Sequence, residues 1–201
     1  PQAQRSLWAT PDGDEVVVDA WSTPSTSPRT PTLVMFHGLE GGSDSHYAKA
    51  FAMATAQRGW HMVLPHFRGC GGLLNHKPRA YHSGDHAEID WLLQRLRRAH
   101  RERGGQQLVA VGVSLGGNAL MRWAGEHGHA AAQLADAVAS ICSPLDLAAS
   151  GQAIGRGFNH QVYTRMFLRS MKPKALAKWA QYPGLFDRDR LLAARDLFDF
   201  D

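Results

Sequence analysis

Leu108-Val109-Ala110-Val111-Gly112-Val113-Ser114-Leu115-Gly116-Gly117-Asn118 is the stretch on which the fold turns. Its first six residues are a continuous apolar run, the mark of a strand buried on both faces. From Leu115 a helix is expected to about Glu126, with Leu120, Met121, Trp123 and Ala124 along it. Between the two lies Gly112-Val113-Ser114-Leu115-Gly116, which fits G-x-S-x-G in the strand–turn–helix setting that gives the motif meaning. A serine at so tight a bend needs small neighbours, because strand and helix approach closely there. The bend lifts the hydroxyl to the C-terminal edge of a sheet, with a helix N-terminus behind it to favour negative charge. Ser114 is therefore the candidate nucleophile.

Further buried strands are expected at Thr32 to Phe36, His61 to Pro65 and Ala137 to Cys142, and a strand at Glu15 to Trp21. Between them lie helical patterns. One follows Ser45 and ends at Gly59, with Tyr47, Ala50, Phe51 and Ala54 at helix spacing. Another, capped by Ser83 or Asp85, carries Ile89, Leu92, Leu93 and Leu96 on one face and stops at Gly104-Gly105. Residues 1–14 read as irregular and end in the turn Pro11-Asp12-Gly13-Asp14; Ser22 to Pro31 reads as a loop. Strands alternating with helices make an α/β fold, a mostly parallel, doubly wound sheet with helices on both faces. After Ser143 the pattern changes. Tyr163, Met166 and Phe167 share one helix face, and Leu176, Trp179 and Ala180 another. The expectation is a core over residues 1–145 and a helical cap or lid over 146–201, with plain core packing as the other reading of those helices.

Composition narrows the classes. In 201 residues, 44% hydrophobic and 20% charged with a net charge of +4, a globular chain is expected rather than a disordered, collagen-like or coiled-coil one. No apolar run approaches the roughly 20 residues of a membrane-spanning helix. No charged-then-apolar leader stands at the start, and two cysteines, Cys70 and Cys142, make no disulfide framework; a cytoplasmic protein with reduced thiols, both small buried hydrophobes, is expected. Arg95, Arg97, Arg98, Arg101 and Arg103 read as a solvated helix face, and without interleaved aromatics they predict no nucleic-acid partner. No phosphate-loop or dinucleotide-binding glycine pattern appears, and no cofactor is expected.

Acyl transfer at a serine needs N–H donors aimed where negative charge develops. One is the amide of Leu115, directly after the nucleophile. The other is expected from His37-Gly38-Leu39, the loop after the strand Thr32 to Phe36, with the Leu39 amide as its donor. His37 reads as a residue fixing that loop. Arg68 reads as a loop brace, contact with an acidic head group being the alternative. His82 and His86 sit four apart at a helix start, a pitch suited to two metal ligands, but no third ligand has matching spacing, so a local structural role and no metal are expected.

The segments His37-Gly38-Leu39-Glu40-Gly41, His66-Phe67-Arg68-Gly69-Cys70-Gly71, Tyr81-His82-Ser83-Gly84-Asp85 and Val113-Ser114-Leu115-Gly116-Gly117-Asn118 together resemble the α/β-hydrolase superfamily, and within it the YheT-like (AB hydrolase-4) branch. The resemblance covers about residues 31–145. It implies a Ser–Asp–His esterase mechanism, acyl ester or lipid-like small-molecule substrates, and cap helices after the strand at Ala137. In the family the acid and the histidine follow a later strand and a late Gly-Gly-His-type loop. Neither is found before Asp201, so the resemblance implies an N-terminal portion whose final strands, acid and base lie outside this chain, and which is inactive alone. Within the chain only Asp146, close after the fourth buried strand, and His160 stand as acid and base candidates. The expected function is cleavage of carboxylic esters through an acyl-enzyme. Acyltransferase or thioesterase chemistry at the same serine and a non-catalytic binding protein are the alternatives.

Overall fold

The computed structural model describes residues 2–24 and 26–201; Pro1 and Ser25, in segments read as irregular, lie outside the described residues. In chain order the elements are β1 (Gln4–Ala9), β2 (Glu15–Trp21), β3 (Thr32–Phe36), α1 (His46–Gln57), β4 (His61–Pro65), α2 (His86–Glu102), β5 (Leu108–Val113), α3 (Leu115–His127), a 3-10 turn (Gly128–Gln133) and β6 (Ala137–Ile141). There follow α4 (Leu147–Ile154), α5 (Gly157–Asn159), a π-helical turn (His160–Thr164), α6 (Arg165–Gln181), α7 (Arg188–Ala193) and α8 (Leu197–Phe200). Two compact units result: residues 1–75 with 80–143, and residues 76–79 with 144–201.

The first unit is a six-stranded sheet in the order β1-β2-β4-β3-β5-β6. β4, β3, β5 and β6 run parallel, while β2 pairs antiparallel with β1 and β4. The chain leaves β3 through α1 for β4 on one side and returns through α2 to β5 on the other. The strand order therefore reverses between β3 and β5, the place where open α/β sheets bind ligands at their carboxyl ends.

The unbroken apolar runs are explained by two-sided burial. In β3, Leu33 and Met35 face α1 and join Trp21, Met62, Leu64 and Val111. Val34 and Phe36 face the other way and pack with Val63, Ala110 and the Ile89, Leu92, Leu93 and Leu96 stripe of α2, with Leu120 and Trp123 of α3. α2 starts at Asp85, whose carboxylate accepts from the Glu88 N–H at 3.4 Å, and its C-cap is Arg103, just before Gly104-Gly105.

Five expectations are corrected. β1 occupies a segment read as irregular; it pairs along its whole length with β2, and its Trp8 lies under the Arg95 guanidinium at 4.2 Å. β6, read as a buried strand, is exposed at all five residues in this chain, where it has one strand neighbour. Cys142 is exposed where burial was expected, while Cys70 is buried. The two helical faces after residue 160 belong to a nearly continuous helical stretch, with Pro173 inside α6. Arg97 departs from the solvated arginine face: it is buried and bonds the Asp136 carboxylate at 3.0 and 3.3 Å. No described helix is long and apolar enough to cross a membrane.

Candidate active site

Register places the site. Phe36 of β3 pairs with Gly112 of β5 in parallel, so the residues two further on, Gly38 and Ser114, emerge side by side at the carboxyl edge. A Cβ on Gly38 would stand 3.2 Å from the Ser114 Cβ. Ser114 has φ 52° and ψ −120°. That region costs a non-glycine residue about 1–3 kcal/mol and persists only where its surroundings enforce it. The enforcement is visible. The Ser114 N–H donates to the Ile141 carbonyl at 2.9 Å, and its own carbonyl accepts from the Asn118 N–H at 3.0 Å. Around it the glycines are obligatory: a Cβ on Gly112 would lie 2.4 Å from the Gly116 oxygen, one on Gly116 2.4 Å from the Phe36 oxygen, and one on Gly117 1.9 Å from Ser143 Oγ. Among the described residues the non-glycine residues with positive φ are Glu40, Ser114 and Cys142, which follow β3, β5 and β6 at the same sheet edge.

Ser114 is half-buried, and its hydroxyl makes no hydrogen bond among the described residues. The Leu115 N–H is the first of α3, where no intrahelical acceptor exists. From Gly38 to Gly42 the loop after β3 is held at every amide but one. Gly38 donates to the Tyr47 hydroxyl at 2.9 Å, Glu40 to the Tyr81 hydroxyl at 3.0 Å, Gly41 to the Gly38 carbonyl at 2.9 Å, and Gly42 to Ser45 Oγ at 3.1 Å. Leu39 is the exception; among the described residues its N–H has no acceptor. Tyr81 also donates to Glu40 Oε1 at 2.7 Å and stacks on Phe67 at 5.4 Å. Burial, with the charges of Cys70 and Glu40, pushes its phenol well above the usual range, so it keeps its proton.

His37 is fully buried. Its Nδ1 lies 2.7 Å from the Gly38 carbonyl, and its Nε2 accepts from the Phe67 N–H at 3.1 Å. Both ring nitrogens are used to fix the loop. Beside it is a second Ser/His/Asp group not singled out from the sequence. His66 Nε2 lies 2.9 Å from Asp19 Oδ2 and 3.0 Å from Ser43 Oγ, Ser43 bonds the same carboxylate, and Arg5 forks onto Asp19 at 2.8 Å. A nucleophile–base–acid relay needs its partners on opposite ring nitrogens. Here both sit on Nε2, so the group ties β1, β2 and the loop after β3 to the end of β4. Burial would raise the Asp19 carboxyl, but hydrogen bonds from Arg5, Ser43 and His66 hold it well below the usual range; burial pushes His66 down.

Arg68 is a brace: its buried guanidinium forks onto Glu88 at 3.0 and 3.1 Å and onto Asp12 at 2.8 and 3.0 Å, and touches Asp14 at 3.3 Å. His82 Nδ1 lies 2.8 Å from the Ser83 carbonyl and its Nε2 3.8 Å from Asp85, and among the described residues no group of three His, Cys, Asp or Glu could hold a metal ion. Asp146 and His160 belong to the second unit. Asp146 caps α4 by accepting from the Ala149 N–H at 2.9 Å, and His160 Nε2 lies 3.2 Å from the Arg195 carbonyl.

A family model described as the alpha/beta hydrolase fold matches residues 31–196, most of the chain, including Ser114 and the loop after β3. The chain is an α/β-hydrolase. Among curated proteins, this α/β-hydrolase is 39% identical over 194 residues to YheT of Escherichia coli, whose name classes it with esterases; the match covers 95% of the chain and 55% of the relative. It is 33% identical over 121 residues to the medium-chain fatty acid ethyl ester synthase/esterase 2 of Saccharomyces cerevisiae, covering 58% of the chain and 25% of the relative. The chain thus spans about half the length of the curated relatives it matches, or less. Of solved structures, a serine hydrolase without a lid from Xanthomonas campestris superposes with a TM-score of 0.57 at 20% identity, covering 73% of this chain and 63% of that one, a likeness of fold.

Proposed function

We propose that this α/β-hydrolase is the nucleophile-bearing part of a serine esterase that cleaves carboxylic esters through an acyl-enzyme. One observation carries the reading: a strained serine, Ser114 at φ 52°, stands against Gly38, and the amides directly after each in sequence, Leu115 and Leu39, are unengaged among the described residues. Ser114 Oγ attacks the acyl carbon and the carbonyl oxygen becomes an oxyanion held by the Leu39 and Leu115 N–H groups. The C–O bond breaks, the alcohol leaves with a proton, and water then releases the acid. A serine hydroxyl is a weak nucleophile without a base. Because the Ser114 hydroxyl bonds no base among the described residues, and Asp146 and His160 are engaged within their own unit, the acid and base are assigned outside these 201 residues.

The substrates fitting this reading are small carboxylic esters with short or lipid-like acyl chains. Acyl transfer to an alcohol uses the same serine and amides and differs only in the acceptor; the synthase/esterase name of the yeast relative makes it the second reading. In the full-length protein, p-nitrophenyl ester turnover and fluorophosphonate labelling are expected, and Ser114→Ala is expected to remove labelling and at least about 10⁴-fold of kcat. The 201-residue chain alone is expected to show negligible turnover. Full-length protein that neither labels nor turns over is instead a non-catalytic binding protein. Robust turnover by the 201-residue chain, lost in His160→Ala, would place the base inside it.

A further inference from the structure

The amides on either side of the Leu39 N–H are each bound to a phenol. Tyr47, from the first turn of α1, takes the Gly38 N–H at 2.9 Å, and Tyr81, from the segment before α2, takes the Glu40 N–H at 3.0 Å. Tyr81 closes a ring by donating to Glu40 Oε1 at 2.7 Å. Glu40 has φ 56°, a conformation costly for a side chain with a Cβ. Tyr47 is also fitted to the loop: a Cβ on Gly41 would stand 2.4 Å from its hydroxyl, so a glycine there is what lets the phenol reach Gly38. Two hydroxyls thus fix the peptide planes on either side of the Gly38–Leu39 peptide, whose N–H is, among the described residues, the one between Gly38 and Gly42 left without an acceptor.

From this juxtaposition we infer that Tyr47 and Tyr81 are positioning residues for the oxyanion donor at Leu39: their hydroxyls hold the two neighbouring amides so that the Leu39 N–H stays aimed at the space beside Ser114. The inference rests on the ester-cleaving reading. It assigns the tyrosines no contact with substrate. Neither hydroxyl contributes a proton to the reaction; each acts by holding backbone. A displacement of about 1 Å in such a group costs on the order of 10²-fold in rate.

The test is Tyr47→Phe and Tyr81→Phe in the full-length protein, each measured for p-nitrophenyl acetate kinetics, melting temperature and inhibition by an aryl trifluoromethyl ketone. That ketone adds to Ser114 Oγ and carries its former carbonyl oxygen as an oxyanion. Each variant is expected to lose about 10- to 100-fold in kcat with KM within about twofold of wild type. The affinity for the ketone should fall in step with kcat/KM, which lost stability alone would not produce. Wild-type kcat and ketone affinity in both variants, or a loss confined to melting temperature or KM, overturns the inference while Ser114-dependent turnover leaves the ester reading standing. Turnover that is absent in wild type, or retained in Ser114→Ala, overturns the ester reading and this inference with it.

Discussion

At the scale of single residues, Ser114 trades stability for exposure. Its φ of 52° and ψ of −120° suit glycine, yet the proposed attack needs a side chain with a hydroxyl there. Ser114→Gly is therefore expected to stabilise the fold by about 1 kcal/mol while removing turnover, read as a higher urea midpoint beside a dead assay. Ser114→Ala keeps the strain and should leave the midpoint near wild type. A midpoint for Ser114→Gly at or below that of Ser114→Ala would show the bend to be unstrained. The neighbouring glycines admit no such freedom. In Gly116→Ala the new methyl meets the Phe36 backbone oxygen at 2.4 Å, an atom that no rotamer change can move, so soluble protein is expected to be lost. Soluble, wild-type-like Gly116→Ala would contradict that packing. This part of the site was legible in the sequence because the glycines and the serine sit within five residues of each other. Tyr47, Asp19 and Ser43 were not: Asp19 and Ser43 act on residues far along the chain, Tyr47 reaches back from a helix to the Gly38 amide, and no local pattern marks such side chains.

Among the elements, the parallel strands β3, β4 and β5 were legible because burial on both faces writes a continuous apolar run. β1 was not, because its burial is slight and its pairing with β2 is satisfied by backbone, which any sequence supplies. β6 has the composition of a buried strand but one strand neighbour in this chain, and composition carries no record of neighbours. The contact joining the β1–β2 turn, the loop after β4 and α2 is ionic rather than apolar. Arg68 faces Asp12, Asp14 and Glu88, with Asn75 donating to Asp14 at 2.6 Å. Removing the cation leaves carboxylates packed together, so Arg68→Met is expected to cost about 3–5 kcal/mol in chemical denaturation. Arg68→Lys should recover little, since an ammonium cannot fork onto two carboxylates at once. Near-wild-type stability of Arg68→Met would show the cluster to be dispensable.

For the molecule as a whole, acid should weaken the sheet unit in two steps. Burial lowers the pKa of His66, so protonation favours the unfolded chain, and stability falls as pH drops below the unfolded value of about 6.5. Asp12 is held at about 2, chiefly by Arg68, and Asp19 lies lower still. Depressed carboxyls stabilise the fold above the unfolded value of about 4, and that share is lost as pH falls toward 2. Melting temperatures across pH 7 to 5 should fall in wild type and fall less in His66→Gln; equal slopes would remove His66 as the cause. The same loops that carry these charges brace the proposed site, because His37, His66, Tyr47 and Tyr81 all close on the segment after β3. The most direct measurement of the central claim is a crystal structure of the full-length protein after reaction with a phosphonate ester. The account predicts phosphorus bonded to Ser114 Oγ and a phosphonyl oxygen about 2.7–3.1 Å from both the Leu39 and Leu115 nitrogens. An adduct on another residue, or a phosphonyl oxygen turned away from those two amides, would contradict it.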